Sequence, residues 1–154
     1  TNERTVVWDK EQSEYLLNRL AKPFCPVARI ALRDHPSNPS LQVGTVAGHT
    51  VVVGRHYDDG VLGFYIPVDA IVPDKLAEEM WLKGKLAGSK KNRVKTRDVQ
   101  GVLSEGLFYG SRYWVEKDGV ITYVESPSWN DSWKEGYNVS QELGISVKTA
   151  PEIE

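Results

Sequence analysis

Lys83, Lys85, Lys90, Lys91, Arg93, Lys95 and Arg97 place seven of the chain's 19 basic residues in one short run, 83–97, that holds no acid. The other 12 basic residues stand against 21 acidic ones, so the rest of the chain carries −9. This layout suits a polyanion held at one place. Lys and Arg release condensed counterions from phosphates, while acidic surroundings repel contact elsewhere. Gly84 and Gly88 punctuate the run, which reads as a flexible arm between strands, and Ser104 beyond it offers a hydroxyl to a phosphate oxygen. Backbone contacts of this kind carry little sequence information. The plainer use of such charges is a solvated surface loop.

Other chemistries find no support. His35, His49 and His56 match no compact ligand motif, and no carboxylate cluster accompanies them, so no metal is expected. Gly101-Val-Leu-Ser-Glu-Gly106 has Val102 where a nucleophile elbow needs glycine. Gly54 to Gly60 and Lys83 to Gly88 lack the Gly-Lys-Ser/Thr ending that seats nucleotide phosphates. No catalytic residue and no cofactor is therefore expected. Asp58, Asp59 and Asp69 read as turn formers rather than cation ligands. Five tryptophans and seven tyrosines suit either core filling or stacking on unpaired bases. Asn138-Val-Ser140 is a glycosylation sequon in form only.

These residues need elements to position them. Asp9 to Ala21 has helical spacing at Tyr15, Leu16, Arg19 and Leu20, with Asp9 as a cap and Pro23 as a stop. From Val27 the pattern turns to strands, at Val27–Leu32, Val43–Val46, Thr50–Val53 and Val61–Val68, separated by Gly, Pro, Asn and Asp. A second helix is expected from Pro73-Asp74 through Leu82, ending at Gly84. Asp118-Gly119 predicts a tight type I′ hairpin between Arg112–Glu116 and Val120–Val124. A small helix over Asn138–Leu143, ended by Gly144, closes a tail that packs back. A chain of 154 residues fits one domain with roughly two thirds of its surface buried. A single cysteine, Cys25, excludes a disulfide framework and suits a reducing compartment. The polar Thr1 to Arg4 and the lack of any apolar run near about 18 residues predict neither signal peptide nor membrane span, and hence a soluble, cytoplasmic protein.

The run Gly63-Phe-Tyr-Ile-Pro-Val-Asp-Ala-Ile-Val-Pro73, followed by Arg93-Val-Lys-Thr-Arg-Asp-Val-Gln-Gly-Val-Leu-Ser-Glu-Gly-Leu107, resembles the N-terminal OB-fold domain of the Deinococcus-type RNA ligases, phage-encoded relatives included. Trp133 to Gly144 is similar to the segment that follows that domain. The resemblance covers 27–150 and is most specific in Arg-x-Lys-Thr-(x)4-Gly-x-x-Ser-x-Gly, from Arg93 to Gly106. It implies an OB module that precedes a nucleotidyltransferase domain, whose lysine in Lys-x-Asp/Glu-Gly takes AMP from ATP. That motif is missing. Lys117-Asp118-Gly119 is one residue too short and reads as a hairpin turn. What the resemblance leaves is engagement of the nucleic acid to be sealed.

The sequence therefore predicts a mainly β protein, an OB-like small barrel with short helices and a C-terminal packed tail. Residues 1–26 form an N-terminal extension, 27–125 the barrel and 126–154 the tail. Val27, Ile30, Val52, Phe64, Ile66, Leu103 and Val120 are expected to share its interior. The expected function is nucleic-acid binding, to RNA or DNA, without enzymatic activity and without a membrane partner. Two rivals remain. One is a structural or protein-interaction module of a phage assembly; the other is one part of a split RNA ligase that takes a catalytic ligase domain as its partner.

Overall fold

The computed structural model describes residues 10–147. After a helix α1 (Lys10–Leu20), the chain forms strands β1 (Val27–Arg29), β2 (Ala31–Asp34), β3 (Leu41–Val46), β4 (His49–Gly54), β5 (Leu62–Ile66) and β6 (Ala70–Ile71). Helix α2 (Asp74–Glu79) precedes β7 (Arg97–Val99), β8 (Val102–Ser104), β9 (Leu107–Gly110), β10 (Arg112–Lys117) and β11 (Val120–Glu125), and α3 (Ser140–Leu143) and β12 (Ser146–Val147) end the described part. The protein is mainly β with short helices, as its β-branched runs require. The Asp9 cap lies outside the described residues.

All strand pairs are antiparallel. The expected strand over Val27–Leu32 is broken at Ile30, so β1 pairs with β5 while β2 pairs with β3. Ile30 keeps both backbone groups satisfied at the break, donating to Val61 O and accepting from Gly60 N–H. The order is β1-β5-β9 in one sheet and β2-β3-β4 in another. Five chain segments thus follow one another round: β1 with β2, then β3, β4, β8 with β9, and β5 back to β1. No continuous ladder closes the ring among the described residues. Between β4 and β8 the link is Glu105 N–H donating to Thr50 O at 2.7 Å and Val52 N–H donating to Ser104 Oγ at 3.0 Å. The hairpin at Asp118-Gly119 is as expected, with φ of 52° and 77° and Lys117 opposite Val120.

Sheet β1-β5-β9 is buried on both faces, because alternate residues point to opposite sides. Tyr65 and Phe108 join Ile30, Val46, Val51, Tyr57 and Val61 in one cluster inside the ring. Phe64, Ile66 and Tyr109 face a larger cluster built with Val72, Leu76, Val94, Trp133 and Val139. The expected shared interior is therefore two cores: Val27, Phe64 and Ile66 belong to the larger cluster and Ile30 to the smaller one. Val52 is only partly buried, and Leu103 and Val120 are more than half exposed, since each lies on a two-stranded hairpin with no layer above it. Cys25 is a plain core residue, its thiol pushed up to about 12 by burial.

The tail lies against the start of β1. Val27 N–H donates to Tyr137 O, Gly136 N–H to Val27 O and Val139 N–H to Cys25 O. Gly144, at φ 72°, ends α3 in the left-handed conformation that glycine tolerates best. Asn138 is 1% exposed, which explains why its sequon is only formal. None of the described helices is long and apolar enough to cross a membrane.

Candidate nucleic-acid interface

The basic run is anchored along its length rather than flexible. Leu86 and Val94 are buried. Ala87 and Arg93 exchange both backbone hydrogen bonds at 2.9 Å, closing a tight turn around Gly88 to Asn92. Val94 N–H donates to Ala70 O, and Asp69 N–H donates to Val94 O. Arg97 already belongs to β7, paired opposite Ser104. An arm with two buried apolar residues and a ladder on each side cannot swing freely.

Five of the eight residues singled out in the sequence come together. Lys85, Arg93, Lys95, Arg97 and Ser104 line one cavity of about 400 Å³, between the end of β4, the residues after α2, the basic run and the β8–β9 corner. Lys83, Lys90 and Lys91 do not line it. Lys83 donates to Glu78 Oε1 at 2.7 Å, and Lys90 and Lys91 stand exposed on the tight turn. Ser104 is 7% exposed, and its hydroxyl is engaged by Val52 N–H and Gly106 O. Its place is to join β4 to β8 behind the cavity. Gly106 stands there because any Cβ would lie 2.5 Å from Ile66 O.

The four cations differ in how they are held. Asp69 Oδ1 accepts Lys95 Nζ at 2.6 Å and Arg93 Nη2 at 3.1 Å. The Lys95 hydrogen bond, with Arg93 beside it, holds the Asp69 carboxyl below the usual range. Among the described residues, no carboxylate pairs with Lys85 or Arg97. Lys85 and Arg97 thus bring positive charge to the cavity without a carboxylate partner among the described residues. Asp69 has φ 75°, a left-handed conformation that asparagine also tolerates. Asp69→Asn should therefore fold normally, remove the negative charge held against Lys95 and Arg93, and tighten anion binding with a steeper salt dependence. Unchanged affinity and salt slope in competition titrations with an oligonucleotide would show that the cavity is not the site.

The rest of the lining is largely aromatic, with His56, Tyr57, Trp81, Phe108 and Tyr109, a placement that the ring count, open to core filling or stacking, did not give. Trp81 is 59% exposed, with its ring edge-on to Tyr113 at 5.3 Å. Tyr113 meets His56 at 6.0 Å, and His56 tilts against Tyr57 at 4.2 Å. Burial lowers the His56 pKa from its ordinary value, which favours the neutral ring. Trp81 is where it is because α2 is shorter than its pattern suggests. Met80 leaves helical geometry, and Trp81 turns left-handed at φ 58°. The other histidines do structural work. His35 Nδ1 accepts the N–H of Ser37 and Asn38, so Nε2 carries the proton and donates to Val99 O at 2.8 Å. His49 stacks on Tyr65 at 4.7 Å. The described residues contain no group of three or more His, Cys, Asp or Glu side chains placed to hold a metal.

No protein-family model and no curated protein sequence matches the chain. Solved structures do. An RNA ligase from Naegleria gruberi with pyrophosphate superposes at a TM-score of 0.63 and 18% identity, over 86% of this chain and 37% of that one. A variant of that ligase with ATP and manganese gives 0.61 and 19% over 84% and 36%, and an unliganded variant gives 0.60 and 20% over 83% and 36%. The chain spans little more than a third of the length of the ligases it matches. The fold is thus shared with RNA ligases, which are enzymes, and the match takes in most of this chain. That overturns the expectation of a protein that is not an enzyme. The missing Lys-x-Asp/Glu-Gly speaks only of one motif within these residues, whereas the fold shared with those enzymes covers most of them.

Proposed function

We propose that the chain is the nucleic-acid-engaging module of an RNA-ligase-type enzyme, an OB-like unit that holds an RNA strand in the cleft between Trp81 and the 93–97 segment. The observation that carries this reading is the convergence of Lys85, Arg93, Lys95 and Arg97 on one cavity whose other wall is aromatic. The fold supports it. The segment order round the ring is that of a five-stranded Greek-key barrel, in which the third segment is β4 and the link between the fourth and fifth is 67–101. OB folds bind oligonucleotides on the face of strands two and three and on that link. The cavity lies between these two parts.

A protein partner is favoured by a separate observation. The β10–β11 ribbon exposes Val115, Val120, Ile121 and Tyr123, each by about half or more. A two-stranded ribbon of this kind is marginal alone in water. In our reading it docks the catalytic part of the enzyme.

The test is direct binding of the chain to labelled RNA strands and to nicked duplex, with DNA of the same sequence as comparison, at low salt. Salt-sensitive binding of RNA is expected. Stronger binding of DNA would change the ligand class, and no binding at low salt would leave the ribbon as the chain's functional surface.

A further inference from the structure

We propose that Trp81 is a stacking platform for one unpaired base, so that the cleft takes a single strand and not a continuous duplex; this rests on the nucleic-acid reading above. Three independent features of Trp81 converge on it. The ring is 59% exposed and borders the cavity, whereas Met80 and Leu86 of the same lining are buried. Its backbone is left-handed at φ 58°, a conformation that a bulky L side chain adopts only at a cost. Tyr113 holds the indole edge-on at 83°, so one partner fixes the ring's orientation while much of its surface stays open to solvent. An exposed, oriented and strained tryptophan is a poor choice for stability and a good one for stacking.

The charges complete the subsite. Lys85 follows Trp81 by four residues and lines the same cavity, as does Arg97 from β7. A base on Trp81 would have its flanking phosphates within the field of these two unpaired cations. A cavity of about 400 Å³ is of the size that accepts one small ligand, not two paired bases with their backbones. In a duplex the base faces are already covered by neighbours, so only an unpaired base can offer a face to the ring.

The experiment uses the full chain with fluorescent oligoadenylate and with the matching blunt duplex. The parent should prefer the single strand. Trp81→Ala should lose roughly 5- to 150-fold in single-strand affinity, the range that stacking one base supplies, with the salt slope unchanged. Trp81→Phe should recover most of that loss. Trp81→Gly, whose backbone conformation is unstrained, should bind as weakly as Trp81→Ala and melt no earlier than the parent, which separates lost stacking from lost folding. Unchanged affinity in Trp81→Ala, or equal parent affinity for duplex and single strand, would overturn the stacking proposal alone. Absence of salt-dependent binding to either probe would overturn the nucleic-acid reading with it.

Discussion

Phe64→Ala should leave the protein unfolded or nearly so at 37 °C. Phe64 is fully buried on β5, the middle strand of the β1-β5-β9 sheet. Its ring meets Tyr109 edge-on at 5.8 Å and Trp133 at 6.3 Å, so it joins the central sheet to the tail. Truncating such a ring costs about 3–5 kcal/mol, from lost burial and the cavity left behind. A domain of this size has only about 5–15 kcal/mol in total. Trp133 would lose its support as well, because its Nε1 bond to Glu142 fixes it from the other side and it cannot collapse into the gap. Urea unfolding followed by circular dichroism gives the number. A variant melting within a few degrees of the parent would show that the larger core does not hold the fold.

Asn138→Ala should cost about 2–5 kcal/mol through polar groups rather than apolar ones. The Asn138 Oδ1 accepts from the backbone N–H of Cys25 and Ser140, and its Nδ2 donates to Asn18 O and Ala21 O. Asn18 reciprocates, its Oδ1 accepting Asn138 N–H and its Nδ2 donating to Asn138 O. One amide thus ties α1, the segment leading into β1 and the tail together. Alanine would leave buried donors and acceptors without partners, and desolvated groups of this kind are the costly ones. Asn138→Asp should be no better than alanine, because a carboxylate would face the two carbonyls that now accept from Nδ2. Faster protease cleavage near α1 should accompany the loss in both variants. An aspartate variant as stable as the parent would mean that the donor half of this network contributes nothing.

Much of the fold was legible because period-two patterning is local. Val43–Val46, Thr50–Val53 and the Asp118-Gly119 hairpin could be read directly, since turn chemistry and alternation fix them without reference to the rest of the chain. Three features were not legible, each for a tertiary reason. The break at Ile30 arises because two sheets compete for one strand, and nothing in Val27–Leu32 marks where the chain changes partner. Leu103 and Val120 have strand-like apolar patterns, but whether a layer covers them depends on elements far along the chain. The end of α2 at Met80 gives no sequence signal, since Trp81 is a poor left-handed residue and Gly84 was the natural stop. The site was half legible. Clustered charge pointed to Lys85, Arg93, Lys95 and Arg97, yet equally to Lys83, Lys90 and Lys91, because composition cannot tell which cations face a cavity and which face Glu78 or solvent. The aromatic wall was hidden for the same reason, as a tryptophan count does not distinguish Trp81 from the buried Trp133.

The most direct test of the account is the salt dependence of single-stranded RNA binding by the parent and by the Lys85→Ala/Arg97→Ala double variant, with Lys90→Ala/Lys91→Ala as the control pair outside the cavity. Both pairs remove two positive charges from exposed positions of the same segment, so net charge alone affects them equally. If the cleft holds the strand, the slope of log affinity against log salt should fall by about 1.4 in the cleft variant, two contacts at roughly 0.7 each, and by much less in the control. Equal slopes in the two variants, or a larger fall in the control, would place the phosphates on the tight turn and contradict the cleft.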